Sequence, residues 1–89
     1  MRRQEVLYNI VKAIELRDYA SFLINGYINK IKDSYFTHLG KCNNALAKLK
    51  ELYDKVKEEN NEEVNEFFSY YNDAKSQVLL YEKTIKNIK

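Results

Sequence analysis

FTHLGKCNN, residues 36–44, decides whether this chain folds as three helices or four. It holds the only histidine and the only cysteine, His38 and Cys42, with Gly40 between them. A glycine followed by Asn43 and Asn44 ordinarily marks a turn, with an asparagine capping the next helix. The apolar pattern points the other way. Ile28, Ile31, Tyr35, His38, Cys42, Ala45, Leu49, Leu52 and Val56 follow one another in alternating steps of three and four. That is an unbroken a/d heptad register, flanked by Leu39, Leu46 and Tyr53. A loop at Gly40 would keep this phase on both sides only by coincidence, whereas glycine inside a helix costs about 1 kcal/mol relative to alanine. The spacing predicts one middle helix over 27–59, roughly 50 Å long at 1.5 Å per residue. A break at Gly40, giving four helices, is the alternative.

On the N-terminal side, apolar residues from Val6 to Ile24 cover far more than one seam and leave a polar stripe at Glu5, Asn9, Lys12, Glu15 and Asp18. This pattern predicts a first helix over 3–25, the most buried of the set, ending at the Asn25-Gly26 pair. On the C-terminal side, Asn60 and Glu63 stand in a capping relation ahead of a third heptad run: Val64, Phe67, Tyr71, Ala74, Val78, Tyr81, Ile85 and Ile88. A last helix over 61–88 follows. The short connection makes the middle and last helices antiparallel, so Val56 should lie near Val64, Leu49 near Tyr71 and Cys42 near Val78. The expected fold is all-α: an antiparallel, coiled-coil-like bundle of three long helices in one domain, 1–89.

Composition agrees. The 89 residues are 45% hydrophobic and 31% charged, with no proline and two glycines, which suits helix and neither sheet nor disorder. A chain this short buries a limited core, which favours pairing with a second copy, so a homodimer is expected. No membrane span and no signal peptide is read, and a single cysteine suits the cytoplasm. The net charge of +2 is unevenly spread: lysines predominate over residues 30–50 and carboxylates over 51–66.

Few residues suggest chemistry. His38 and Cys42 at i and i+4 share a helix face and are zinc-ligand types, but zinc wants four ligands and the chain has no further His or Cys. The simpler expectation is a buried Cys42 and a His38 hydrogen-bonded to Tyr81 or water, with no metal and no cofactor. The carboxylates of EENNEEVNE, 58–66, read as a solvated helix tip, and no phosphate-cradling glycine loop is present. An enzyme is not expected.

Two binding surfaces stand out. Within and beyond FFSYY, 67–71, Tyr70, Leu79 and Leu80 lie off the seam and with Tyr53 are expected to offer an apolar area to another protein. The second surface is lysine-rich: Lys30, Lys32, Lys41, Lys48 and Lys50, beside aromatic residues, suit nucleic acid. Lys, Asn, Ile and Tyr supply well over a third of the chain, a bias common in small phage, viral and plasmid proteins. The expected function is a non-enzymatic accessory or inhibitory factor acting by protein contact, with nucleic-acid binding as the alternative.

Overall fold

The structure is a computed structural model that describes residues 2–27 and 35–87, with side-chain surroundings for 3–26 and 35–87. Three helices account for nearly all of it: α1 (Arg2–Tyr27), α2 (Tyr35–Val56) and α3 (Glu62–Lys86). They form an elongated bundle of 45 × 17 × 17 Å. Arg3 on α1 pairs with Glu63 on α3 at 3.0 Å, which sets those two N-termini side by side. At the opposite end the Tyr81 hydroxyl donates to the Tyr35 carbonyl at 3.1 Å, joining the end of α3 to the start of α2. The bundle therefore runs up, down and up, with α1 parallel to α3.

Gly40 does not interrupt α2. It lies on the exposed side, a Cβ built there would meet nothing within 4 Å, and its backbone is not left-handed. Expected boundaries shift elsewhere. Asn25-Gly26 does not end the first helix: Gly26 also lacks left-handed geometry, and α1 continues to Tyr27. Tyr27 thus belongs to α1, not to the middle helix, and the seam positions Ile28 and Ile31 fall outside the described residues, as does Ile88. The middle helix stops at Val56, where the Glu59 amide donates to the Val56 carbonyl at 2.9 Å. The cap of α3 is Asn61 and not Asn60. Asn61 has extended backbone (φ −140, ψ 168) and its side chain accepts from the Val64 amide at 2.9 Å, with Glu62 and Glu63 at the positive end of the helix dipole.

Each helix gives one stripe to a common core. From α1 come Val6, Ile10, Ala13, Leu16, Ala20 and Leu23; from α2 Tyr35, Leu39, Cys42, Leu49, Leu52 and Val56. The core stripe of α3 is its whole described a/d series, from Val64 to Ile85. α1 and α3 approach each other much more closely than either approaches α2. The side chains explain the asymmetry. Ala13 and Ala20 on α1 and Ala74 on α3 are fully buried, and residues that small let backbones draw together. Between α2 and α3 stand rings instead: Tyr53 stacks on Tyr71 with centroids 5.1 Å apart and tilts against Phe68 at 5.0 Å, while Phe67 stacks on Tyr71 at 6.0 Å. The two Tyr53 pairs lie on the antiparallel register set by the short connection.

α1 is not the most buried helix. Its inner arc is taken partly by alanines, and four larger side chains remain outside: Leu7 39%, Tyr8 61%, Val11 53% and Phe22 70% exposed.

Candidate functional site: a lysine-rimmed groove

Close packing of α1 on α3, with α2 held off by rings, leaves a groove of about 560 Å³ between α1 and α2. Its floor is Leu16 of α1 with Ala45 and Leu49 of α2. Leu16 and Leu49 are core residues and Ala45 is half-buried, so the floor is the open margin of the core itself. Ala45 occupies an inward heptad position where a leucine would fill much of this space.

The rim is cationic and aromatic. α2 contributes Lys41 and Lys48 with Asn44 between them, and α1 contributes Tyr8, Lys12 and Glu15. The Lys12 ammonium stands over the Tyr8 ring at 5.2 Å and reaches Glu15 at 3.5 Å. The Tyr8 hydroxyl first, and the Glu15 charge second, raise the Lys12 pKa and keep it protonated. Lys41 and Lys48 are exposed and make no ion pair among the described residues. Lys50, one of the lysines grouped with them by sequence, instead pairs with Asp54 at 3.1 Å, and that contact raises its pKa. Lys30 and Lys32 lie outside the described residues. Of the five expected lysines, the structure brings Lys41 and Lys48 together on one groove.

The apolar set separates. Tyr53 is half-buried in the ring stack between α2 and α3. Tyr70 is half-buried with the Arg17 guanidinium of α1 over its ring at 5.7 Å, an arrangement that favours the cation through the ring's negative face. Leu79 and Leu80 remain 52% and 47% exposed. Adjacent residues project about 100° apart on a helix, so these two leucines look toward different sides.

His38 and Cys42 sit beside one end of this groove, where Tyr19 lines it. Cys42 is fully buried, and burial pushes its thiol pKa up, which disfavours the reactive thiolate. His38 is half-buried and its Nδ1 lies 2.8 Å from the Tyr19 hydroxyl, so Tyr19 of α1 is its partner and Tyr81, the expected one, bonds elsewhere. Burial, and then the proximity of Cys42, raise the Tyr19 pKa. Among the described residues no three His, Cys, Asp or Glu side chains gather as metal ligands would.

The groove and the outward apolar residues of α1 were missed by sequence reasoning. The signal was the width of the α1 apolar face: more large side chains than two neighbours can cover. Fold and site together define a three-helix bundle with an open, lysine-rimmed seam. No family model matches the chain, and no curated protein or solved structure matches it either. Among the described residues no helix is long and apolar enough to cross a membrane.

Proposed function

We propose that this protein is a non-enzymatic factor that works by docking on another protein, as an accessory or inhibitory subunit. The observation that carries the reading is the outer side of α1, where Leu7, Tyr8, Val11 and Phe22 stay exposed on a helix already packed against two others. Large apolar side chains grouped on one element, with polar neighbours such as Lys12 and Asp18, are the composition of a contact surface. A second copy of the chain is the homodimeric form of the same idea.

The test compares the wild type with Val11→Glu and Phe22→Glu. Both sites are exposed, so melting should stay within about 0.5 kcal/mol of wild type. Affinity capture from the cell of origin should retain a defined partner with the wild type and lose it with the variants. Sedimentation equilibrium separates the forms, since self-association abolished by the same substitutions gives the surface to a second copy. Capture and mass that are both indifferent to Val11 and Phe22 contradict the reading.

Nucleic-acid binding is the second reading, favoured by Lys41 and Lys48, which make no ion pair among the described residues. It requires retention on nucleic acid that falls steeply with salt.

A further inference from the structure

We propose that the groove between α1 and α2 receives an acidic amphipathic helix of a partner protein. This rests on the reading of the protein as one that works by protein contact, and it adds to the outer face of α1 a second docking place with its own chemistry.

The floor calls for apolar side chains. Leu16, Ala45 and Leu49 line it, and the small Ala45 leaves room for a side chain from outside. A helix laid in the trough between two antiparallel helices completes a four-helix arrangement, in which each member buries its stripe against two neighbours. The groove of about 560 Å³ admits one face of such a helix and not a whole domain.

The rim calls for negative charge. Lys41 and Lys48 stand seven residues apart, about 10 Å along the axis, and Lys55 continues the column by the same step. All three are exposed and none makes an ion pair or hydrogen bond among the described residues. In packed helices, lysines at such flanking positions face carboxylates of the neighbouring helix. Here the neighbour α1 turns Tyr8 and Lys12 into the groove, and its one carboxylate there, Glu15, lies against Lys12 at 3.5 Å. The α2 wall thus carries cations that none of the described residues answers, while the Lys12 cation of the α1 wall is already met by Glu15. An incoming helix with Glu or Asp every seven residues, flanking a Leu or Ile stripe, satisfies the column and the floor together. A nucleic-acid strand fits less well, because it brings no apolar side chain to the half-buried Ala45 on the floor.

The experiment uses fluorescence anisotropy with the full chain and three labelled probes. One is a helix of about three heptads with Leu at seam positions and Glu at flanking positions. The second is its twin with Lys for Glu, and the third is oligodeoxythymidylate. The acidic helix is expected to bind best, with its twin on the order of tenfold weaker or worse and with affinity falling as salt screens the rim. Lys41→Glu/Lys48→Glu should weaken the acidic helix by about tenfold or more and leave the melting temperature unchanged, because both residues are exposed. Ala45→Leu, which fills the floor, should weaken it in a fold of undiminished stability. Equal binding of the two helices, indifference to the lysine double variant, or tighter binding of the oligonucleotide overturns the proposal. If the acidic helix fails while partner capture still depends on Val11 and Phe22, this inference alone falls; if both fail, the broader reading falls with it.

Discussion

The two seams that α1 makes differ in how far they are closed. Against α3 it sets Ala13 and Ala20, with Ala74 opposite in the same core, and the backbones close on each other. Polar contacts then latch the outside of that seam: Arg3 to Glu63, Arg17 over Tyr70, and Ser21 donating to Gln77 at 3.0 Å. Against α2 the same helix sets Leu16 and Tyr19, Lys41 and Lys48 opposite make no ion pair among the described residues, and a groove remains. Small residues with matched polar groups make a finished internal seam. Larger residues with unmatched charge leave a seam that can take another element. The proposed helix-docking site belongs to the second.

The largest expected effect concerns what holds α2 in place at all. Phe67 is fully buried beside the Tyr53–Tyr71 stack, so Phe67→Ala should cost about 3–5 kcal/mol in chemical denaturation. A loss under about 1 kcal/mol would mean the rings do not anchor α2.

A matched pair of substitutions then tests the contrast directly. Ala20→Leu forces bulk into the closed seam and should destabilise by about 1–3 kcal/mol. Ala45→Leu puts the same bulk into the open groove and should stay within about 0.5 kcal/mol of wild type, or stabilise. Equal losses from both would erase the distinction.

Gly40→Ala should stabilise by about 1 kcal/mol, since the added methyl meets nothing and the helix loses a flexible residue. Destabilisation would mean that α2 is not continuous there.

The alkaline limb tests the buried end of the α1–α2 seam. Burial raises the pKa of Cys42 above its ordinary 9.0 and those of Tyr19 and Tyr81 above their ordinary 10.0. Above those ordinary values the folded chain keeps protons that the unfolded chain has released. Stability should therefore be level below about pH 9 and fall as pH rises beyond it, most gently in Cys42→Ala. Thiol labelling of Cys42 should be slow in the native protein and prompt in denaturant.

The heptad spacing made the helices readable, including the passage through Gly40, because a/d periodicity carries across an exposed glycine that costs little. It was less informative about which flank is buried. Strict a/d counting made His38 a seam residue, yet in a three-helix bundle each helix touches two neighbours: Leu39 is buried, while His38, half-buried, turns to Tyr19 of α1. The end of α1 was misread because Asn-Gly permits a left-handed turn without requiring one. The groove was unreadable for a different reason. It arises from the relative closeness of the helices, set by alanines on one side and stacked rings on the other, and no single segment encodes that difference. Tyr70 shows the same limit: off-seam by count, it is covered by Arg17 from another helix.

The central claim is that the unfinished α1–α2 seam takes an acidic partner helix. Titrating the isotopically labelled chain with the acidic probe helix and following backbone amide shifts tests it most directly. The account predicts that the largest shifts cluster at Leu16, Lys41, Ala45 and Lys48, with the α1–α3 seam around Ala20 and Ala74 undisturbed. Shifts centred on Leu79 and Leu80, or spread evenly over the bundle, would contradict it.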